Sequence, residues 1–137
     1  MVRKTARQRI DPDESPKYAA AAAQFFDAAD LARDCRYWNA AGLLLVHGSI
    51  AWADAVAIRL KGVKSTSDDH KDAVALLGEV LTGVRGRDEA LTHLHRIIDE
   101  KNRVSYEGIT FQESDMERLA RHTERFRRFV EGILKTA

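Results

Sequence analysis

Residues 18–32 read Tyr18-Ala19-Ala20-Ala21-Ala22-Ala23-Gln24-Phe25-Phe26-Asp27-Ala28-Ala29-Asp30-Leu31-Ala32, and this stretch decides the fold. Its apolar residues recur at helical spacing, and alanine both favours helix and lets neighbouring helices approach closely. Of the 20 alanines, 14 lie between Ala19 and Ala57, and both prolines, Pro12 and Pro16, precede the stretch. Because proline is the strongest helix breaker, its absence after residue 16 predicts an all-α chain.

The joints between helices predict an up-and-down antiparallel bundle of four to five helices. Asp13-Glu14-Ser15-Pro16 combines acidic groups, a capping hydroxyl and a proline for the first turn, which is a helix-start signal. Short loops then separate the apolar stripes, as in antiparallel bundles. The predicted helices begin near Pro16, Ala40 (with Asn39 as N-cap), Asp69, Asp88 and Ser114 (with Glu117 completing a capping box). Residues 1–14 are predicted to be a flexible basic arm, and residues 15–137 a single domain.

Composition excludes several classes of protein. The chain has 137 residues, which is enough for one domain, and a formal net charge of +1, which argues against a surface devoted to nucleic acid. Its one cysteine, Cys35, excludes a disulfide framework and is typical of a reducing compartment. The longest apolar run, Ala40–Val46, is shorter than the ~20 residues of a membrane span. We therefore expect a cytoplasmic protein without a membrane partner.

Common catalytic motifs are missing from the sequence. It contains no phosphate-binding glycine loop and no His-Glu-x-x-His zinc helix. His93 and His95 are two residues apart, so they point to different sides of a helix, and we expect both on the surface. Asp27, Asp30 and Asp34 lack the Glu-x-x-His pattern that accompanies di-iron sites. No metal and no cofactor are expected.

His47 and Asp54 form the first candidate for a polar site. They are seven residues apart on helix 2, hence two turns apart on one face, and each is surrounded by apolar residues. One interpretation is a polar cluster that lines a groove. The other is an internal salt bridge or hydrogen bond that sets helix register, since a buried carboxylate requires a cation or donor.

The second candidate lies near the end of helix 4. Lys101 follows Leu94 and Ile97 on the same side of the helix, and it is accompanied by Asn102, Arg103 and Tyr106. A cationic cluster with a phenolic hydroxyl at this place can hold a phosphate or complement Asp54. Cations at a helix C-terminus also stabilise the negative end of the helix dipole, so an ordinary structural role fits equally well.

Three segments combine with the alanine-rich first helices into a recognisable pattern. They are Ala51-Trp52-Ala53-Asp54-Ala55-Val56, Asp69-His70-Lys71-Asp72-Ala73-Val74-Ala75-Leu76-Leu77 and Lys101-Asn102-Arg103-Val104-Ser105-Tyr106-Glu107. In this combination the chain resembles the HEPN superfamily of helical domains. The resemblance implies a four- or five-helix bundle, commonly a homodimer, often encoded beside a nucleotidyltransferase or other partner. A nucleotidyltransferase neighbour would indicate a toxin–antitoxin setting.

Many HEPN proteins are metal-independent ribonucleases with an arginine, a polar residue and a downstream histidine. Carried over to this chain, Lys101 stands where the arginine is expected, Asn102 matches the polar residue, and Tyr106 stands near the histidine position. Lysine lacks the bidentate fork of arginine, and tyrosine is a poor general base at neutral pH. The sequence therefore predicts a chain without the usual nuclease pair.

Three functions follow from these patterns. The leading one is a dimeric binding or regulatory module for a nucleotide or RNA, with Lys101, Asn102, Arg103 and Tyr106 facing Asp54 and His47. The alternative is a toxin-type, metal-independent endoribonuclease in which His47 or His70 supplies the missing imidazole. The third is a structural scaffold in which the cluster locks helix 4 to helix 2.

Overall fold

The computed structural model describes residues 6–105 and 110–136, and these form an all-α bundle, as predicted. The described α-helices are α1 (Ser15–Asp34), α2 (Trp38–Lys61), α3 (His70–Val80), α4 (Arg87–Ser105) and α5 (Glu113–Thr136). A short 3-10 helix (Pro12–Glu14) precedes α1, and two short strands, β1 (Arg7–Arg9) and β2 (Val63–Ser65), complete the fold.

The first two helices form a tightly packed antiparallel hairpin. At one end the Ser15 hydroxyl donates a hydrogen bond of 2.8 Å to the carbonyl oxygen of Ala55. Farther along, Gly48 lies against Phe26, so closely that a Cβ at this glycine would stand 3.1 Å from the Phe26 ring. The small residues of both helices thus permit the close approach that the sequence predicted.

The joint between α1 and α2 differs from the prediction. The chain turns at Arg36, which has a left-handed φ of 61°, and α2 already begins at Trp38. Asn39 therefore lies inside the first turn of α2 instead of capping it, and its side-chain oxygen accepts a hydrogen bond from the Phe111 N–H at 3.1 Å. The tertiary contact with a distant segment decides the role of this asparagine.

Helix α2 is the central element of the core. Among the described helices it alone is long and apolar enough to cross a membrane by length and composition, yet 67% of that apolar window is buried inside the bundle. Helices α1, α3, α4 and α5 each pack against α2. The largest fully buried side chains of the bundle are Phe111, Phe126, Ile58, Leu76, Leu77, Leu81, Leu94, Ile97, Met116, Leu119, Val46 and Val56.

The start of α5 also departs from the prediction. The helix begins at Glu113, so Ser114 lies in its first turn and does not cap it. Instead the Gln112 N–H donates to the Asp115 carboxylate at 2.9 Å, which is the reciprocal half of a capping box. Asp115 takes the place predicted for Glu117 because the helix starts earlier.

The N-terminal segment is not a free arm over its described length. Strand β1 pairs antiparallel with β2, with Gln8 opposite Lys64. Two hydrogen bonds join Arg7 to Glu79 on α3, at 2.8 and 3.2 Å. Sequence reasoning missed this pairing because three-residue strands leave no periodic pattern. The loop predicted between α2 and α3 therefore contains a strand.

Candidate functional site

Three residues from three helices lie within electrostatic range of one another. Lys101 lies near the end of α4, His47 lies in the first half of α2, and His70 is the first residue of α3. They are close enough that the Lys101 charge acts on both imidazoles, and His47 acts on His70. We call these three residues the imidazole–lysine cluster.

The surroundings of both imidazoles favour the neutral form over the charged form. Burial is the main cause that lowers the pKa of His47, and the Lys101 charge lowers it further. Burial and then Lys101 also lower the pKa of His70, against weaker opposing effects of Asp69 and Asp68. Two neutral imidazoles beside an ammonium group offer hydrogen-bond donors, acceptors and one positive charge.

The loop before α3 positions His70. The Asp69 carboxylate accepts the Lys71 N–H at 2.9 Å and so caps the helix. The Ser67 hydroxyl donates to the Asp72 carboxylate at 2.6 Å and accepts the Asp69 N–H at 3.1 Å. These bonds order the turn, so His70 enters the cluster from a fixed backbone.

His47 has an aromatic neighbour. The ring of Phe25 on α1 lies 5.9 Å from the His47 ring, centroid to centroid. Sequence reasoning did not assign Phe25 to the site. This contact depends on how α1 packs against α2, where the Phe25 Cβ lies beside Gly48, so the sequence carries no signal for it.

Asp54, in contrast, is not among the charges that act on His47 or His70. It stands two turns beyond His47 along α2, about 10 Å away by helical rise. Burial raises the pKa of Asp54 to about 6, and the charge that opposes this rise is that of Lys64 on β2. Lys64 thus acts on Asp54 only through its charge, and among the described residues the Asp54 carboxylate makes no ion pair or hydrogen bond of the kind that a structural role predicts.

Arg103 belongs to a separate network of ion pairs. Its guanidinium lies 2.9 Å from the Glu100 carboxylate and 3.8 Å from that of Asp115. Arg118 on α5 bridges the same two carboxylates, at 3.1 Å each. This alternation of charges ties α4 to α5, so Arg103 has a structural role.

The sequence also predicted two other site residues, Asn102 and Tyr106. Asn102 is exposed beside Lys101, and Tyr106 lies outside the described residues.

The sequence predicted His93 and His95 on the surface, and this is wrong for His93. His95 is exposed as predicted, but His93 is only 8% exposed, and its Nδ1 atom lies 3.0 Å from Nδ1 of His122. The signal was available, because His93 follows Ala90 by three residues and so continues the buried face of α4.

Among the described residues, no group of three or more histidine, cysteine, aspartate or glutamate side chains is arranged to hold a metal ion. Comparison of the chain with models of protein families, with curated proteins and with solved structures finds no match.

Proposed function

We propose that this protein is a HEPN-like helical domain that acts as a dimeric, cytoplasmic binding module for RNA or a nucleotide, with a phosphate group held by the imidazole–lysine cluster. The observation that carries the proposal is the convergence of His47, His70 and Lys101 from three separate helices. A purely structural role does not require an ammonium group beside two imidazoles, because apolar side chains pack between helices without the cost of burying polar groups.

The chemistry of the cluster suits a phosphate. The Lys101 ammonium supplies charge, and each imidazole supplies an N–H donor. A phosphate placed among them offsets the Lys101 charge that lowers the pKa of both imidazoles. Binding of the anion therefore favours the protonated imidazoles, and affinity is expected to rise as the pH falls below about 6.5.

A second candidate function rests on the presence of two imidazoles. In a metal-independent endoribonuclease, one imidazole accepts the proton of the ribose 2′-hydroxyl, and the resulting oxygen attacks the adjacent phosphorus. The other imidazole, which must enter the reaction protonated, donates its proton to the departing 5′-oxygen as the P–O bond breaks, which leaves a cyclic phosphate and a 5′-hydroxyl. Lys101 would offset the charge on the phosphorane. Lowered pKa values keep an imidazole available as the base at neutral pH.

Binding is tested with a labelled single-stranded RNA in the presence of a chelator. Lys101→Gln is expected to weaken binding about tenfold and to reduce the salt dependence of log K by about 0.7, the effect of one lost phosphate contact. Lys135→Gln, which removes an exposed charge near the end of α5, is the matched control and should change affinity less than twofold. Equal affinity of the parent and Lys101→Gln would overturn the proposal.

Cleavage is tested on the same samples by separating the RNA products. A binding module leaves the RNA intact, whereas the nuclease yields cyclic-phosphate ends that disappear in both His47→Gln and His70→Gln. If the parent neither binds nor cleaves RNA or nucleotides, and Lys101→Gln lowers thermal stability, the cluster is a structural lock between α4 and its neighbours.

The proposed dimer is tested by light scattering. A homodimer has twice the chain mass of 15.4 kDa, and a species of 15.4 kDa at micromolar concentration would contradict it. A nucleotidyltransferase-type partner, and with it a toxin–antitoxin setting, is tested by co-expression with the product of an adjacent gene of that class.

A further inference from the structure

The histidine pair between α4 and α5 has an unusual hydrogen-bonding state. His93 Nδ1 and His122 Nδ1 lie 3.0 Å apart, so one of the two carries a proton and the other accepts it. The other ring nitrogen of His93, Nε2, is buried and has no hydrogen-bond partner. Buried polar atoms without a partner are rare in proteins, so this atom requires an explanation.

The tautomer of His93 follows from its surroundings. The closest charge at Nε2 is the Glu89 carboxylate, at 3.7 Å, which is too long for a hydrogen bond. A carboxylate at this distance still favours a proton on Nε2 over a lone pair. His93 then accepts from His122 at Nδ1 and presents an N–H donor at Nε2 that lacks an acceptor.

His93 is part of the wall of a cleft, and its buried Nε2 atom lies 3.7 Å from the carboxylate of Glu89, which lines the same cleft. The cleft has a volume of about 250 Å³ and is lined by His93 together with Gly86, Glu89, Ala90, Arg125, Arg128 and Phe129. An adjoining cleft of about 490 Å³ shares Arg125 and Arg128 and adds two arginines, Arg33 and Arg121, and two glutamates, Glu117 and Glu124. Arg128 also makes an exposed ion pair of 3.3 Å with Glu124. Together the two clefts are lined by four arginines and three glutamates, so a small excess of positive charge lies beside His93.

We propose that this cleft binds a phosphate group between Arg125 and Arg128, and that its entry turns the Glu89 side chain outward, so that one phosphate oxygen accepts the hydrogen bond from the otherwise buried His93 Nε2. The Phe129 ring forms an apolar wall for the organic part of the ligand. Glu89 lies at the rim, and its side chain is 82% exposed, so it has room to turn toward solvent. The ligand class is a phosphate monoester or diester.

The size of the cleft limits the ligand. Pockets for drug-sized ligands measure about 300–1,000 Å³, and this cleft is slightly smaller. It therefore suits a mononucleotide or one nucleotide of a longer strand. The adjoining cleft supplies space for a second unit, because Arg121 precedes Arg125 by one helical turn, a rise of about 6 Å.

The electrostatics of His122 support the same site. Burial is the main cause that lowers the pKa of His122, followed by the effects of His93, Arg96, Arg125 and Arg121. Bound phosphate would offset the arginine charges. The pKa of His122 should therefore rise when the ligand binds, while Glu89 opposes the anion from the rim.

The test uses NMR spectroscopy of the imidazole nitrogens, with inorganic phosphate, a nucleoside monophosphate and a short oligonucleotide as three probes. We expect a protonated Nε2 on His93 in the free protein, and shifts of this nitrogen and of the Gly86 and Phe129 amides on titration. Arg125→Gln/Arg128→Gln should weaken binding about tenfold or more, whereas Lys135→Gln should change it less than twofold. An unprotonated Nε2, or no shift with any probe at millimolar concentration, would overturn the proposal.

The three probes also distinguish the sources of the phosphate. A nucleoside monophosphate that binds more tightly than inorganic phosphate supports the role of Phe129, and equal affinity overturns that role. Tighter binding of the oligonucleotide supports a strand across both clefts. Titration with inorganic phosphate, read at the His93 nitrogen and the Gly86 and Phe129 amides, reports this cleft alone, whereas the His47 and His70 nitrogens report the imidazole–lysine cluster, so failure of either site is measured separately.

Discussion

The side-chain oxygen of Asn39 accepts a hydrogen bond from the backbone N–H of Phe111 at 3.1 Å, across 72 residues of chain. This bond connects the first turn of α2 to the segment that leads into α5. Phe111 is itself fully buried, so its N–H depends on a protein acceptor.

Asn39→Leu is expected to destabilise the protein by about 1–3 kcal/mol, because it leaves the Phe111 N–H without its acceptor. Asn39→Asp retains an acceptor oxygen and should cost less. Urea denaturation of the parent and both variants measures the difference. Equal stability of the leucine and aspartate variants would contradict the structural role assigned to this bond.

Lys101→Gln is expected to raise the pKa of both His47 and His70, because the lysine charge lowers both. The values should remain below about 6.5, since burial, the larger cause, persists. Because the unfolded chain binds protons at these histidines more tightly than the folded chain, the protein loses stability as the pH falls below about 6.5. The variant, with smaller pKa shifts, should therefore lose less stability in acid. NMR titration of the imidazole protons reports the pKa values directly. Unchanged midpoints in this variant would show that the cluster does not form.

Asp54→Asn is expected to stabilise the protein at neutral pH. The folded-state pKa of about 6 lies above the usual 3.8, so the folded chain binds the proton more tightly, and stability rises as the pH falls from about 6 to about 4. Above about 6 the charge costs most, up to about 3 kcal/mol at roughly 1.4 kcal/mol per pKa unit. The gain should appear at about pH 7.5 and vanish near pH 4. An equal gain in stability at pH 7.5 and pH 4 would show that the charged form of Asp54 carries no burial cost.

Gly48→Val is expected to destabilise the hairpin of α1 and α2 by about 1–3 kcal/mol, because added atoms meet Phe26 and the Cβ of Phe25. Gly48→Ala should have a smaller effect, since the higher helix propensity of alanine offsets part of the crowding by about 1 kcal/mol. Gly132→Ala is the control in open space and should stabilise α5 by up to about 1 kcal/mol. Thermal unfolding measures all three, and a stabilising Gly48→Val would refute the close approach.

The helices were predictable because their signals are local. The alanine-rich stretch, Pro16 and the apolar stripes depend only on residues within a few turns, so the all-α class and the order of the helices follow from the sequence. Caps were less predictable. Asn39 and Ser114 have the right chemistry for capping, but in the fold the Asn39 oxygen accepts from the Phe111 N–H, and the Gln112–Asp115 pair forms the cap of α5.

The candidate site was predictable only in part. Lys101 and His47 stand out in the sequence because each interrupts an apolar face, but a single sequence contains no measure of distance between helices. Asp54 has the same signature as His47, yet its neighbouring charge is Lys64. Arg103 joins an ion-pair network with Glu100 and Asp115.

The sequence by itself thus determined the helices, their order and the positions where polar groups enter apolar faces, since these depend on periodicity and local steric preference. Only the tertiary structure decided which polar groups meet: His47 with Lys101 and His70, and His93 with His122. The physical reason is that helix packing, governed by the shape of the whole apolar surface, sets the distances between side chains far apart in the chain, and charge interactions depend on those distances.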